Sequence, residues 1–181
     1  MAETAAFTLR RATLEDEVAM NDLIQDSARG LSPGYYSSVQ IESAIKYVFG
    51  VDTALVRDGT YFCVEAGDVI VGCGGWSMRQ THYGGDHAKR DSDDLIDPAT
   101  DPARIRAFFV HPDWARRGIG RMLLDACVAA AQEAGFTGLM LVSTLPGEPL
   151  YRAYGFDAIE EVVVPLPDGV LVPCVRMGRA I

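Results

Sequence analysis

The sequence predicts an α/β fold built on a mixed sheet, and three observations predict it. Apolar residues 105–110 are followed by a glycine-rich turn, a long amphipathic stretch over 118–134 and a second strand-like run over 138–142. That order is a βαβ unit, whose two strands lie side by side and parallel. Other strand-like runs are joined by short turns, the pattern of antiparallel hairpins. At 181 residues, 49% hydrophobic and 23% charged, the chain is sized for a single domain over residues 1–181 with a substantial core.

The elements follow in order. Residues 7–12 alternate apolar and polar side chains, which predicts a first strand. Thr13, with Asp16 three residues on, carries a helix start signal for a helix over about 14–27. Residues 28–38, with Gly30, Pro33, Gly34, Tyr35 and Tyr36, read as an exposed turn before a second helix over about 39–49; the tyrosines either line a pocket or pack over the helix start. Residues 55–57 and 61–65, then Gly67-Asp68, then β-prone residues 69–76 read as a meander or hairpin. From 78 to 102 the apolar pattern fails. A loop this long in a compact domain is either a functional cover or a surface insertion, so residues 79–102 are a candidate specificity region. Between Asp86 and Asp101 it carries six Asp against Lys89 and Arg90, which either attract a cationic acceptor or form a solvated surface.

The helix over 118–134 puts Leu123, Leu124, Cys127, Ala130, Ala131 and Ala134 on one side and stops at Gly135. A short helix over 148–154 ends at Gly155, and residues 162–164 and 170–172 flank a Pro- and Gly-bearing turn as a closing antiparallel pair.

Composition excludes several classes of function. The net charge of −9 argues against general nucleic-acid binding, which rests on Lys and Arg. No apolar run approaches the ~18 residues that would cross a bilayer. The N-terminus lacks the basic and then apolar regions of a signal peptide, so the expected location is cytoplasmic. Cys63, Cys73, Cys127 and Cys174 sit singly in apolar segments, as buried reduced thiols do, and His82, His87 and the nearby Asp residues have no metal-ligand spacing, so no metal is expected.

The turn carries the chemistry. A glycine-rich turn opening a helix leaves backbone N–H groups without intrahelical partners at the positive end of the helix dipole, which is an anion site. Gly118 and Gly120 let backbone approach a ligand, while Arg116, Arg117 and Arg121 add charged donors. No Gly-Lys-Ser/Thr follows, so it is not a Walker A loop, and Leu123 stands where a dinucleotide fingerprint needs a third glycine.

Residues 108–124, around Ala115-Arg116-Arg117-Gly118-Ile119-Gly120, closely resemble the acetyl-CoA motif of the GCN5-related N-acetyltransferase (GNAT) superfamily, Arg/Gln-x-x-Gly-x-Gly/Ala. Leu150-Tyr151-Arg152-Ala153-Tyr154-Gly155-Phe156 resembles the family's second signature, in the right order downstream. The resemblance implies a GNAT-like domain of about six to seven strands and about four helices. It implies an acyl-CoA-dependent N-acyltransferase, moving acetyl from acetyl-CoA to a primary amine of a small molecule or peptide by direct attack. It further implies that amides and side chains of Arg116, Arg117, Gly118, Ile119, Gly120 and Arg121 hold the pyrophosphate. Backbone groups of Phe109 and Val110 would pair with the pantetheine arm, one of their N–H groups serving as oxyanion donor, and Tyr151 would face the leaving sulfur. Related proteins often form homodimers. Ala115 departs from the motif's Arg or Gln and costs one side-chain contact.

A phenol at pKa ~10 and a thiol at ~8.5 make full proton transfer from Tyr151 uphill by about 2 kcal/mol, so a hydrogen bond to the thiolate is the expected role; Tyr154 competes for it. Many relatives carry a Glu on or near the strand before the turn, but residues 104–109 contain no carboxylate. Asp101, His82, Glu65 or a water chain could take the amine proton, while His111 occupies a structural position of the motif. A carboxylate-free strand also fits a non-catalytic acyl-CoA-binding or sensing domain, or an interaction module on the same fold.

Overall fold

A computed structural model describes residues 6–88 and 93–181. Lys89, Arg90 and Asp91 of the acidic loop lie outside the described residues. The strands are β1 (Phe7–Arg11), β2 (Tyr61–Ala66), β3 (Val69–Ser77), β4 (Ala103–Val110), β5 (Gly138–Thr144), β6 (Asp157–Pro165) and β7 (Leu171–Ala180), in one sheet of order β1-β2-β3-β4-β5-β7-β6. The α-helices among the described residues are α1 (Glu17–Leu31), α2 (Ser38–Tyr47), α3 (Thr53–Arg57), α4 (Ile119–Glu133) and α5 (Glu148–Tyr154). The sheet is antiparallel except where β4 and β5 run parallel, as the βαβ pattern requires.

Helix α4 buries Leu123, Leu124, Cys127 and Ala131 against a core that includes Val64, Val71, Ile105 and Leu139. A second cluster sets Met20, Leu23 and Ile24 of α1 and Leu55 of α3 against Tyr61, Cys63 and Cys73, and a third joins α2 to β6 and β7 through Ile41, Ala44, Val164 and Val172. All four cysteines are buried and unbridged. No helix among the described residues is long and apolar enough to cross a membrane.

Two local expectations are corrected, and one left open is decided. Helix α1 runs through Gly30 to Leu31 rather than stopping near 27. Gly30 is there because Pro112, in the loop before α4, packs onto it: a Cβ at Gly30 would lie 2.3 Å from Pro112 Cγ. Residues 55–57 belong to a short helix, not a strand, because the Asp52 carboxylate accepts from Ala54 N–H (2.9 Å) and caps it. Tyr36 does not line a pocket: its hydroxyl donates to the Pro173 carbonyl (2.6 Å) and accepts from Leu145 N–H (2.9 Å), tying the loop before α2 to β7 and to the end of β5.

Strands β4 and β5 pair at two positions, Ala103 with Leu139 and Arg104 with Met140, and then diverge. A bulge accompanies the divergence: between the pairs Cys73–Phe109 and Gly75–Arg106, Gly74 alone faces Ala107 and Phe108. Ala107 takes a left-handed φ of 52°, which strains a residue with a Cβ. The buried Tyr61 hydroxyl donates to the Ala107 carbonyl (2.7 Å) and holds the bulge in place.

Candidate functional site

The diverging strands leave a cleft between them. Ala107, Phe108 and Phe109 form one wall, and Leu141 to Thr144 of β5 form the other. Tyr151 of α5 lines it, as do Val48 and Phe49 after α2, residues 82–84 of the long loop, and Val164 and Val172 of the closing strands. Thus the 79–102 loop and the last two strands reach the site, whereas Tyr35 is exposed and Tyr36 is used in packing.

The glycine-rich turn opens α4. Trp114 packs edge-on to Phe7 (5.8 Å) and anchors the loop to β1, and the His111 side chain accepts from Asp113 N–H (3.2 Å), which gives His111 the structural place expected of it. Arg116 and Gly118 both take left-handed backbone (φ 64° and 87°), a pattern found in anion-binding nests. The first helical bond runs from Met122 N–H to the Gly118 carbonyl, so the amides of Ile119, Gly120 and Arg121 have no intrahelical acceptor. A Cβ at Gly118 would meet nothing within 4 Å, so the turn is open on that side.

Gly120 also has a packing role that the sequence does not show. A Cβ there would sit 2.8 Å from Leu150 Cδ2, so this glycine admits α5 against α4, and a bulky replacement would disturb the fold as well as any ligand. Arg117 stacks over Trp114 (4.8 Å) and Arg121 over Tyr154 (5.8 Å). Neither they nor Arg116 make an ion pair among the described residues, so three cations face solvent beside the free amides.

Backbone direction along β4 separates Phe109 from Val110. His111 N–H donates to the Val71 carbonyl (2.9 Å), and Phe109 N–H faces the Cys73 thiol, so both point to β3. Strand alternation then turns the Val110 N–H toward the gap. Phe109 contributes its ring, which packs edge-on to Phe49 (5.4 Å).

Tyr151 is buried, set edge-on to Phe108 (6.1 Å) and Phe156 (5.7 Å). Burial, then the nearby Cys127 thiol, pushes its hydroxyl far above the ordinary phenol value, so it stays protonated and can only donate to an anion. The competing Tyr154 is engaged elsewhere: its hydroxyl donates to Asp125 (2.5 Å), and Arg121 and Arg179 flank its ring.

The candidates for proton removal divide in the same way. Glu65 is bound by Arg10 (2.6 Å), and Asp101 precedes β4 at the end where β4 still pairs with β5. His82 lines the cleft. Burial first, then Arg104, Arg106 and Arg176, lowers its pKa below the ordinary 6.5, so its imidazole is neutral at pH 7. Arg106 itself is buried and paired with buried Asp52 (3.0 Å). Sequence reasoning missed Ala107, Tyr61 and this ion pair, because no local pattern marks them. No group of three or more His, Cys, Asp or Glu side chains among the described residues is placed to hold a metal ion.

Comparison with solved structures finds the same fold at low identity. A GCN5-related N-acetyltransferase from Rhodopseudomonas palustris aligns with TM-score 0.73 and 20% identity over 100% of this chain and 99% of its own. PaiA N-acetyltransferase from Thermoplasma acidophilum, solved with coenzyme A, gives 0.66 and 14% over 97% and 99%. The yncA protein of Salmonella typhimurium, solved with acetyl-CoA, gives 0.63 and 15% over 97% and 94%. No curated protein matches the sequence significantly. Residues 19–156 match the model of the Acetyltransferase (GNAT) family, and the chain therefore belongs to this family of acetyltransferases, which use acetyl-CoA as co-substrate.

Proposed function

We propose that this protein transfers acetyl from acetyl-CoA to a primary amine of a small molecule or peptide within the β4–β5 cleft. The observation that carries the reading is continuity: one gap, opened by the divergence of β4 and β5, runs between the strand that leads into the α4 turn and the buried hydroxyl of Tyr151. The chain's groups fit the co-substrate. Unpartnered amides at Ile119, Gly120 and Arg121, the left-handed Arg116 and Gly118, and the charges of Arg116, Arg117 and Arg121 suit a pyrophosphate. The gap-facing Val110 backbone suits the pantetheine arm, taken up as an added strand, with Phe109 forming the wall.

Bound there, acetyl-CoA supplies a thioester whose carbonyl carbon an amine can attack. Val110 N–H would donate to the carbonyl oxygen as charge develops on it. Tyr151, held protonated, would donate to the departing sulfur. The four unbridged thiols suit a reducing compartment and support a cytoplasmic location.

The reading is tested by release of free CoA thiol with a panel of amines. Release that requires both protein and amine is expected. Tight CoA binding with no release for any amine would instead favour a non-catalytic acyl-CoA sensor.

A further inference from the structure

We propose that His82 is the catalytic residue that accepts the proton of the attacking amine. The inference rests on the acetyl-transfer reading above and adds the group that reading lacks. None of the described residues lining the cleft is an Asp or Glu, and the ionisable ones among them are His82, Tyr83, Tyr151 and Cys174. Burial keeps Tyr151 protonated and pushes the Cys174 thiol up to about 11, so neither is a base at neutral pH. His82 Nδ1 is buried and has no hydrogen-bond partner among the described residues, although a buried ring nitrogen ordinarily finds one. An amine entering the cleft would provide it.

The backbone on either side of His82 is held in place. The Arg106 guanidinium donates to the Gly84 carbonyl (2.7 Å) and the Thr81 carbonyl (3.3 Å), the residues two after and one before His82. Thr81 donates through its N–H (3.0 Å) and hydroxyl (2.6 Å) to Asp93. The segment is thereby fastened to β4, the strand that forms the other wall of the cleft.

The surrounding charge sets the protonation state. Arg104 and Arg106 on β4 and Arg176 on β7 all act on the imidazole. Asp52 balances Arg106 and Glu160 balances Arg176 (2.9 Å). Arg104 is buried, donates to the Pro102 carbonyl (2.6 Å) and makes no ion pair among the described residues, Asp101 acting on it from further off. This arrangement disfavours an ammonium as well as an imidazolium. The amine lone pair forms the C–N bond as the C–S bond breaks with its electron pair on sulfur. The surplus amine proton passes to His82 Nδ1 and from there to solvent, and the thiolate takes up a proton from solvent.

The test reads two quantities. In the CoA-free protein, NMR titration of the three histidines, with His82 assigned by its loss in His82→Gln, should give a midpoint below 6.5 that moves upward in Arg104→Gln. The acid limb of kcat/KM should share that midpoint and move with it. His82→Gln should lower kcat by about 100-fold and abolish the limb, with thermal midpoint and CoA affinity unchanged. A His82→Gln enzyme within about threefold of wild type with the same limb, or a His82 midpoint at or above 6.5, would overturn the proposal. Wild-type protein that releases no thiol with any amine would overturn the acetyl-transfer reading instead.

Discussion

The two ends of the cleft are built on opposite principles. At the α4 turn the proposed binding groups are backbone amides on one short stretch of chain, and the arginines beside them lie on the surface. At the acceptor end the groups are side chains from separate segments, His82 from the long loop and Arg104, Arg106 and Arg176 from two strands, held by a buried ion pair. The first end is robust to side-chain replacement and sensitive to backbone geometry. The second depends on individual side chains, so substitutions should have unequal effects at the two ends.

The largest effect is expected beneath the acceptor end. Asp52→Ala strands the buried Arg106 charge and should cost about 3–5 kcal/mol in urea unfolding; a loss below about 1 kcal/mol would mean that the pair does not hold this wall. Tyr151→Phe comes next. It should lower kcat by about 100-fold and leave stability within about 0.5 kcal/mol, because its hydroxyl has no protein partner among the described residues. An unchanged kcat would remove Tyr151 from the mechanism.

Tyr61→Phe deletes the bond to the Ala107 carbonyl and should destabilise by about 1 kcal/mol, with a fall in kcat as the bulge relaxes. Loss of stability without loss of rate would show that the bulge serves the fold alone. The smallest effects belong to the turn. Arg117→Ala and Arg121→Ala should each weaken CoA binding by about 0.5–1 kcal/mol in calorimetry, less at high salt, because both side chains are exposed. A hundredfold loss from either would break the contrast between the two ends.

The same contrast explains what could be read from the sequence. Arg116 to Arg121 and Leu150 to Phe156 are contiguous, and glycine spacing and helix periodicity are local signals, so the turn, α4 and α5 were legible in the sequence. The parallel neighbours β4 and β5 followed from handedness and chain order. Their divergence did not, since it depends on Ala107 taking a conformation in which glycine would be expected, fixed by a tyrosine 46 residues away in sequence. Gly30 read as a turn because its packing partner, Pro112, lies on a distant segment. His82 could be named but not chosen from the sequence, because the arginines that act on it come from two distant strands, β4 and β7.

Amide hydrogen exchange with and without CoA tests the central claim most directly. His111 N–H is bonded to the Val71 carbonyl and serves as an internal control, whereas the amides of Val110, Ile119, Gly120 and Arg121 are the ones proposed to receive the ligand. The account predicts that CoA slows exchange at those four amides and leaves His111 unchanged. Saturating CoA that protects none of them, or protects a different face of the sheet, would contradict it.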